Sequence, residues 1–405
     1  MKKRSYLLLM ALATSMIIIS CDKEDDIMGN EEITAVISVE NIVPVKDYVQ
    51  SGVFKREGDD PRTLPGQSAS FKFNAGKGQH LALATMYGVS KDWFFAPENP
   101  GLKLYDESGK PFTGDVSSQI KLWDNGSKDN TSGAAESKNI TEVPGVDAST
   151  LMKLTLAYDA ERSEFTLTIN NTSGGTKNET GFSPGVWAIS NVAGGKLLAT
   201  NPFFEKGKPT NPEITPIAEH GQTQLLAAKN EMNTGVITGV SPLVVVTYSN
   251  IDNPIFKVGT KDIDNGLKEV AQTGNPAKLT EYLKEVKGVR NVYVFGDGPI
   301  GPGASAMGSI RGAVGDKLAF VSMSGYSNDW FYANSEELTV GFKGDLVPKI
   351  GLYDNGTAKD QFLGAGNSQA VFGGAPQIPE SKVIEKVGNE LPYPATADLL
   401  RISIK

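Results

Sequence analysis

Two aspartates, Asp92 and Asp329, occupy the same place in two copies of one aromatic motif. The copies read YGVSKDWFFAP at 87–97 and SGYSNDWFYAN at 324–334, and nine of the 17 positions are identical between 81–97 and 318–334. A carboxylate among aromatic side chains is costly unless a cation or hydrogen-bond donors compensate its charge. The motif therefore predicts a partner for each aspartate.

A second aspartate follows each copy at a similar distance. Asp124 lies in WDNGSKD, 32 residues after Asp92, and Asp354 lies in YDNGTAKD, 25 residues after Asp329. No basic residue recurs beside the Asp-Trp step of both copies, and two carboxylates brought together favour a bound cation. Oxygen ligands without His or Cys suit a hard ion, and Ca²⁺ is the usual choice outside the cell. We therefore predict a calcium site at each Asp pair.

A purely structural interpretation of the same residues stays open. Asp-Asn-Gly is an ordinary turn sequence in which the Asp side chain caps its own backbone, and Asp-Trp can be a capped corner. Trp93 and Trp330 would then simply be core residues. The duplication and the linkage of the two motifs favour cation binding over this alternative.

Period-two alternation of apolar and polar residues dominates the chain. In EFTLTIN, for example, Phe165, Leu167 and Ile169 lie on one face, and turn sequences such as Asn-Gly and Gly-Gly separate such runs. Helical patterns are confined to short pieces near 222–229, 265–272 and 279–286. The pattern predicts an all-β protein of β-sandwiches with a few short helices.

A second repeat lies between the two Asp-Trp copies. SPGVWAISN at 183–191 and SPLVVVTYSN at 241–250 are each followed by an NPxF step and then by a similar segment. The simplest division places a first domain at 33–157 and a second at 163–405, which carries the duplicated segment. The boundary would lie within DAERSE at 159–164, which could equally be a hairpin turn.

The first residues have the character of an export signal. A cationic start and an apolar run too short to span a bilayer, residues 1–20, precede Cys21. Ile18-Ile19-Ser20-Cys21 resembles a bacterial lipobox, which implies cleavage and lipidation of Cys21. The acidic tether at 21–32 resembles a surface-export signal, so we expect an outer-membrane lipoprotein, anchored in the bilayer through Cys21. It would face outward, although a periplasm-facing position, an uncleaved anchor or a plain secretory signal is an alternative.

The composition argues against several classes of partner and of catalytic or metal site. A net charge of −8 argues against nucleic acid, and the single cysteine excludes an intramolecular disulfide and a thiolate metal site. The two histidines lie in unrelated contexts, and neither a G-x-S-x-G nor an H-E-x-x-H motif is present. We therefore expect a binding protein rather than an enzyme.

The two linked motifs, with the SP and NPxF segments, resemble the spondin N-terminal domain family of extracellular proteins. The resemblance implies C2-like antiparallel β-sandwiches, a calcium ion held by loop aspartates at Asp92, Asp124, Asp329 and Asp354, and adhesion or ligand binding. The family has another acidic residue four positions after the second Asp, where this chain has Lys128 and Ala358. The nearest acids, Asp129 and Asp360, are then the candidate third ligands, and the second copy is the better site.

Two other functions remain open. A glycan- or nutrient-capture protein would stack sugar rings on exposed aromatic side chains, and the candidates are Phe94, Phe95, Phe331 and Tyr332. Exposed rings would favour this function and buried rings would not. A structural surface component with vestigial cation sites is the third possibility.

Overall fold

The alternating segments form 24 strands in the part of the chain that this computed structural model describes, residues 31–388 and 393–405. The strands are β1 (Glu32–Asn41), β2 (Tyr48–Phe54), β3 (Ser68–Asn74), β4 (His80–Tyr87), β5 (Trp93–Pro97), β6 (Leu102–Lys103), β7 (Gly114–Asp115), β8 (Ile120–Asp124), β9 (Thr141–Glu142), β10 (Met152–Asp159), β11 (Glu164–Asn171), β12 (Phe182–Ser190), β13 (Val192–Ala193), β14 (Lys196–Leu197), β15 (Leu243–Tyr248), β16 (Val289–Phe295), β17 (Ser305–Ala313), β18 (Lys317–Met323), β19 (Trp330–Asn334), β20 (Leu338–Thr339), β21 (Gly344–Asp345), β22 (Ile350–Asp354), β23 (Glu385–Lys386) and β24 (Leu400–Ile404). The helices are α1 (Thr215–His220), α2 (Gln224–Met232), α3 (Leu267–Thr273), α4 (Ala277–Glu285) and α5 (Thr396–Leu399). The prediction of an all-β protein with a few short helices is confirmed.

The first sandwich packs two antiparallel sheets face to face. Its larger sheet has the order β2-β12-β4-β5-β8-β9, with β6 on the side of β4, and its smaller sheet has the order β3-β11-β10-β7. The interior contains Phe73 and Phe165 from the small sheet and Leu83 and Phe95 from the large one. Apolar and polar residues alternate along these strands because every second residue of each strand points into this interior.

The second sandwich has the same two sheets built from other strands. Its larger sheet has the order β16-β15-β18-β19-β22-β23, with β20 on β18, and its smaller sheet has the order β17-β1-β24-β21. The first described strand, β1, and the last, β24, therefore pair with each other, with Ile37 opposite Ile404. Both ends of the described chain belong to the second sandwich.

Helices cover the outer face of each large sheet. Ile214, Ile217 and Leu226 of the α1–α2 region pack on the first sheet, and residues of α3 and α4 pack on the second. This second layer explains why every residue of β15 (LVVVTY) is buried rather than every other one. The short helical patterns near 222–229, 265–272 and 279–286 correspond to α2, α3 and α4.

The two sandwiches are alike residue by residue. Val186 of β12 lies opposite Ala84 of β4, and the repeat-equivalent Val244 of β15 lies opposite Val321 of β18. The helices α1 and α3 both end at a glycine in the left-handed region, with φ of 66° at Gly221 and 72° at Gly274. The repeats seen in the sequence are thus equivalent parts of two copies of one fold.

Buried asparagines extend this likeness to the strands β11 and β1. Asn171 Nδ2 at the end of β11 donates to the carbonyls of Thr63 and Thr180, at 2.8 and 2.7 Å. Asn41 Nδ2 at the end of β1 donates to the carbonyls of Ile300 and Thr238, at 2.9 and 2.8 Å. The strand β1 therefore holds in the second sandwich the place that β11 holds in the first.

The chain order nevertheless differs between the copies. In the first sandwich, residues 160–163 join β10 to β11, whereas their counterparts β24 and β1 are the last and first described strands. In the second sandwich the chain runs directly from α4 into β16. In the first sandwich the equivalent elements, α2 and β2, are not consecutive in the chain. Hydrogen bonds hold them together instead, from Tyr48 N to Asn233 O at 3.0 Å and from Gly235 N to Tyr48 O at 2.9 Å. The first sandwich is a circular permutant of the second, inserted between β1 and β15.

This arrangement changes the domain limits expected from the sequence. The segment 159–164 is a hairpin between paired strands, Asp159 lying opposite Glu164, and β11 and β12 belong to the first sandwich. The residues 33–41, expected in the first domain, pair with strands of the second. Sequence order alone suggested consecutive domains, but β1 is separated from its partners by an entire inserted sandwich.

The predicted signal peptide, Cys21 and most of the tether lie outside the described residues. Among the residues that are described, no helix has the length and apolar character needed to cross a membrane.

Candidate functional site

Each aspartate pair lies where two neighbouring strands of a large sheet end. Trp93 at the start of β5 lies opposite Asp124 at the end of β8, and Trp330 at the start of β19 lies opposite Asp354 at the end of β22. Antiparallel pairing thus places the preceding residues, Asp92 and Asp329, beside the Asp-Asn-Gly turns. The structure brings together the two pairs that the sequence predicted.

In the second sandwich, Asp329 is held by the turn that follows Asp354. Its Oδ2 accepts hydrogen bonds from Thr357 N at 2.6 Å, Thr357 Oγ1 at 2.8 Å and Ala358 N at 2.9 Å. Asp354 Oδ1 in turn accepts a bond from Gly356 N at 2.7 Å. One oxygen of each carboxyl group therefore fixes the turn, as the capping interpretation expected.

The remaining oxygen of Asp329 has no such role. Asp329 is fully buried, and its Oδ1 has no hydrogen-bond partner among residues 31–388 and 393–405. The same is true of Asp92 Oδ1 in the first sandwich. A buried carboxylate oxygen without a hydrogen-bond partner destabilises the folded state. Capping alone therefore does not account for these side chains.

The carboxyl groups in the second site repel one another when they are ionised. Burial, and then repulsion from Asp354, raise the pKa of Asp329 well above its usual range, and burial also raises the pKa of Asp354. The two carboxyl groups therefore resist being ionised together, which is the condition that a cation relieves.

Asp360 adds a third carboxyl group near this pair. Desolvation of its carboxyl end and repulsion from Asp354 and Asp329 raise the pKa of Asp360 to about 8, although much of the side chain is exposed to solvent. The Trp330 indole favours the ionised form of Asp360, but its Nε1–H does not meet hydrogen-bond geometry with any described group. Asp360, a predicted ligand, thus lies close enough to interact with both other aspartates.

The first site has the same backbone with different side chains. Asp92 Oδ2 accepts hydrogen bonds from Ser127 N at 2.8 Å and Lys128 N at 2.9 Å, and burial raises its pKa. At the position that corresponds to Asp360, the first sandwich has Asn130, whose Nδ2 donates to Asp124 Oδ2 at 2.7 Å. A neutral amide therefore occupies the place of the third carboxyl group.

The other candidate ligand of the first site, Asp129, has a different role. Its Oδ1 accepts bonds from Ser132 N and Ser132 Oγ, both at 2.7 Å, and these bonds lower its pKa. Lys128 Nζ lies 3.5 Å from Glu219 Oε2 on α1. The expectation that Asp129 completes the first site is therefore corrected: Asp129 caps its own loop, and Asn130 is the residue that contacts Asp124.

The aromatic side chains proposed for glycan contact lie in the core. Phe94, Phe95, Phe331 and Tyr332 are each 0% exposed. Phe95 and Tyr332 point into the sandwich interiors, whereas Phe94 and Phe331 point towards the helical layers. A sugar ring could reach them only if the layers separated, so the expectation that they contact a ligand is corrected.

Several residues of the site were not predicted. Ser127 and Thr357 supply the backbone donors to the buried aspartates, and the shared sequence D-N-G-S/T was the signal that could have found them. A cleft of about 740 Å³ opens beside Asp354 and Asp360 and is also lined by Arg162 of the first sandwich. No sequence signal indicated the cleft because the insertion alone brings 159–164 to this place.

The protein groups fit only part of a calcium shell. In the described part of the chain, no three or more His, Cys, Asp or Glu side chains are grouped so that they could hold a metal ion by themselves. Ca²⁺ takes six to eight oxygens, and carbonyls, waters or ligand oxygens commonly complete its shell. The unpaired Asp329 Oδ1 beside Asp354 fits the beginning of such a shell.

Comparison with known proteins gives no family for this chain. Neither a scan against protein-family models nor a search of curated protein sequences finds a match.

Proposed function

We propose that this protein binds Ca²⁺ at the turn formed by Asp329 and Asp354 and acts as a non-enzymatic binding protein. The observation that carries the proposal is the fully buried, unpaired Asp329 Oδ1 beside a second carboxyl group whose pKa is also raised. A cation would satisfy the free oxygen and remove the repulsion between the carboxyl groups.

The proposed calcium site lies in the second sandwich, and the equivalent turn of the first sandwich serves as an internal comparison. Asp329 Oδ1 and Asp354 would hold the ion, with carbonyl, water or ligand oxygens completing the shell, whereas Asn130 Nδ2 already donates to Asp124 Oδ2 in the first sandwich. We therefore propose one calcium ion per chain.

The wider function follows from the sequence resemblance. We propose a spondin-like protein that mediates adhesion or captures a ligand, and that is anchored through a lipidated Cys21 to the outer membrane. The two sandwiches with loop aspartates at one end support this proposal, as does the lipobox-like sequence before Cys21.

Calorimetric titration of the chelator-treated protein with CaCl₂ tests the central proposal. We expect a stoichiometry near one, and an increase in the free energy of unfolding of about 2.7 kcal/mol at a hundredfold excess of free ion over Kd. The double variant D329N/D354N should lose both the heat of binding and the stabilisation.

The matched control is the double variant D92N/D124N in the first sandwich, which should keep the calcium response of the native chain. If the D329N/D354N variant still binds Ca²⁺ with native affinity, the proposed site is wrong. The anchor has its own test, because incorporation of labelled palmitate should be lost in Cys21→Ala.

A further inference from the structure

The cleft beside the second site carries an unusual mixture of charges. Five acidic and four basic side chains line its volume of about 740 Å³, so its formal charge is −1 when all of them are ionised. Asp329, which the ion would also contact, brings the charge to −2, and a bound divalent cation would change this to 0. The cleft would therefore attract cations when empty, and its repulsion of anions would be removed once the ion is bound.

Two of the basic side chains have no ionic partner there. Lys359 pairs with Glu161 at 2.8 Å and Lys382 pairs with Glu380 at 3.0 Å. Arg162 and Lys386 line the cleft, are exposed, and form no ion pair with any residue in 31–388 or 393–405.

A buried hydrogen-bond donor also lines the cleft without a partner. Trp330 is 3% exposed, and its Nε1–H is unpaired within the described chain. The indole N–H can only donate, so an oxygen acceptor in the cleft would satisfy it. A ligand oxygen in the cleft would compete for this donor with the Asp360 carboxyl group, on which the indole also acts.

The protein would fill only part of the coordination shell of the proposed calcium ion. The chain offers the Asp329 and Asp354 carboxyl groups, and Asp354 lines the cleft. The positions of the ion that the protein does not fill would therefore face the cleft, where ligand oxygens can replace water.

We propose that this cleft binds a carboxylate-bearing ligand, whose carboxylate coordinates the calcium ion while Arg162 and Lys386 pair with its remaining negative charge. The inference rests on the proposed function, since the ion supplies the attraction. A guanidinium fork matches a carboxylate in shape, and a cleft of this volume accommodates a ligand of a few sugar or peptide units. The shared chemistry is the carboxylate, which a uronic acid or an acidic peptide can supply.

The test uses two probes, trigalacturonic acid and the blocked peptide acetyl-Asp-Gly-Asp-amide. Saturation-transfer NMR is recorded with each probe and the mature chain, once with 2 mM CaCl₂ and once with excess EDTA. We expect signals with calcium and none with EDTA, and the probe that binds more tightly identifies the source of the carboxylate.

Variants separate the cleft from the ion. R162Q/K386Q should weaken probe binding at least fivefold and leave the calorimetric Kd for Ca²⁺ within twofold, because neither side chain contacts the Asp pair. The exposed Lys91→Gln, beside the first site, is the matched control and should change neither measurement.

The outcomes distinguish the two proposals. If the chain binds Ca²⁺ but neither probe binds at up to 10 mM, the cleft inference is overturned and the calcium site stands. Probe binding that persists in EDTA, or that R162Q/K386Q leaves unchanged, also overturns it. If no Ca²⁺ binds at all, the proposed function fails first and this inference fails with it.

Discussion

The two oxygen atoms of one carboxyl group separate the capped turn from the proposed cation site in this protein. Asp329 Oδ2 accepts the hydrogen bonds that an ordinary turn requires, and Asp329 Oδ1 accepts none from the part of the chain that the structure describes. The same division occurs at Asp92, where Oδ2 is bonded and Oδ1 is not. The capping interpretation thus accounts for one oxygen of the side chain, and the proposed ion would account for the other.

Asp329→Asn tests this division at the residue scale. The Asn Oδ1 can accept the bonds from Thr357 and Ala358, and its Nδ2 can donate to Asp354, so the melting temperature without calcium should stay unchanged or rise. The stabilisation by calcium should disappear, because the anionic oxygen is lost. Thermal unfolding with CaCl₂ and with EDTA measures both effects, and a variant that retains the full calcium shift would contradict the assignment of Oδ1.

The raised pKa values predict how stability depends on pH. Between the ordinary carboxyl pKa of 3.8 and the value of about 8 at Asp360, the folded state binds more protons at these groups than the unfolded state. Their contribution to the free energy of unfolding is therefore fully present below pH 4 and is lost as the pH rises towards 8. Calcium competes with those protons, so its stabilising effect should increase over the same range.

Urea unfolding at pH 5, 6.5 and 8, on protein freed of metal with a chelating resin, measures this contribution. The control is the triple variant D329N/D354N/D360N, which should lack it, so the difference between the two proteins isolates these groups. A difference that is constant across the three pH values would show that the pKa shifts are absent.

At the scale of the elements, one strand position is filled in two ways. In the first sandwich β11 follows β10 through a tight hairpin, and in the second β1 reaches the same position from the other end of the described chain. The buried asparagines at the ends of β11 and β1 make the same pair of bonds to backbone carbonyls. Packing and hydrogen bonding, not chain order, therefore define the element.

Asn171→Ala and Asn41→Ala form a matched pair that tests this equivalence. Each variant removes two side-chain hydrogen bonds to buried carbonyls, so each should lower the free energy of unfolding by about 2 kcal/mol. Urea unfolding of both variants under one set of conditions gives the comparison. The equivalence fails if one variant is destabilised and the other matches the native protein.

At the scale of the whole molecule, the insertion builds a joint between the sandwiches. Gln361 Nε2 donates to Ala160 O at 3.2 Å, Gln79 Nε2 donates to Gly364 O at 2.9 Å, and Asn367 N donates to Ser163 Oγ at 2.9 Å. The loop that follows the second aspartate turn thus contacts the first sandwich directly. The proposed calcium site and the cleft lie at this joint.

A circular permutant tests the nested architecture. Lys405 and Val36 already exchange backbone hydrogen bonds, from Val36 N at 3.0 Å and from Lys405 N at 2.9 Å, so a short turn like that at 160–163 should join β24 to β1 without strain. Opening the chain between Pro44 and Val45, where Val45 is 59% exposed, should leave a folded protein with native calcium affinity.

Circular dichroism, thermal unfolding and calorimetry compare the permutant with the native chain. A second permutant, opened within the buried β15, is the control and should fail to fold. If the two permutants behave alike, the connection between β24 and β1 is not equivalent to the hairpin of the first sandwich.

The sequence by itself determined the local features of this protein. Alternation predicted the β-sandwiches, short periodic stretches predicted α2, α3 and α4, and the repeated Asp motifs predicted the pairs Asp92–Asp124 and Asp329–Asp354. These features depend on residues that are close in sequence, or on equivalent positions that an internal repeat identifies.

Only the tertiary structure decided the rest. Strand pairing over the length of an inserted sandwich set the domain limits, and burial on both faces of a sheet removed Phe94 and Phe331 from the surface. Hydrogen bonds from Ser132 hold Asp129 in its own loop, which leaves Asn130 beside Asp124. The cleft arose because residues 159–164 meet a loop that lies about two hundred positions later in the chain. The physical reason is the same in each case: long-range packing selects among local alternatives that the sequence leaves nearly equal.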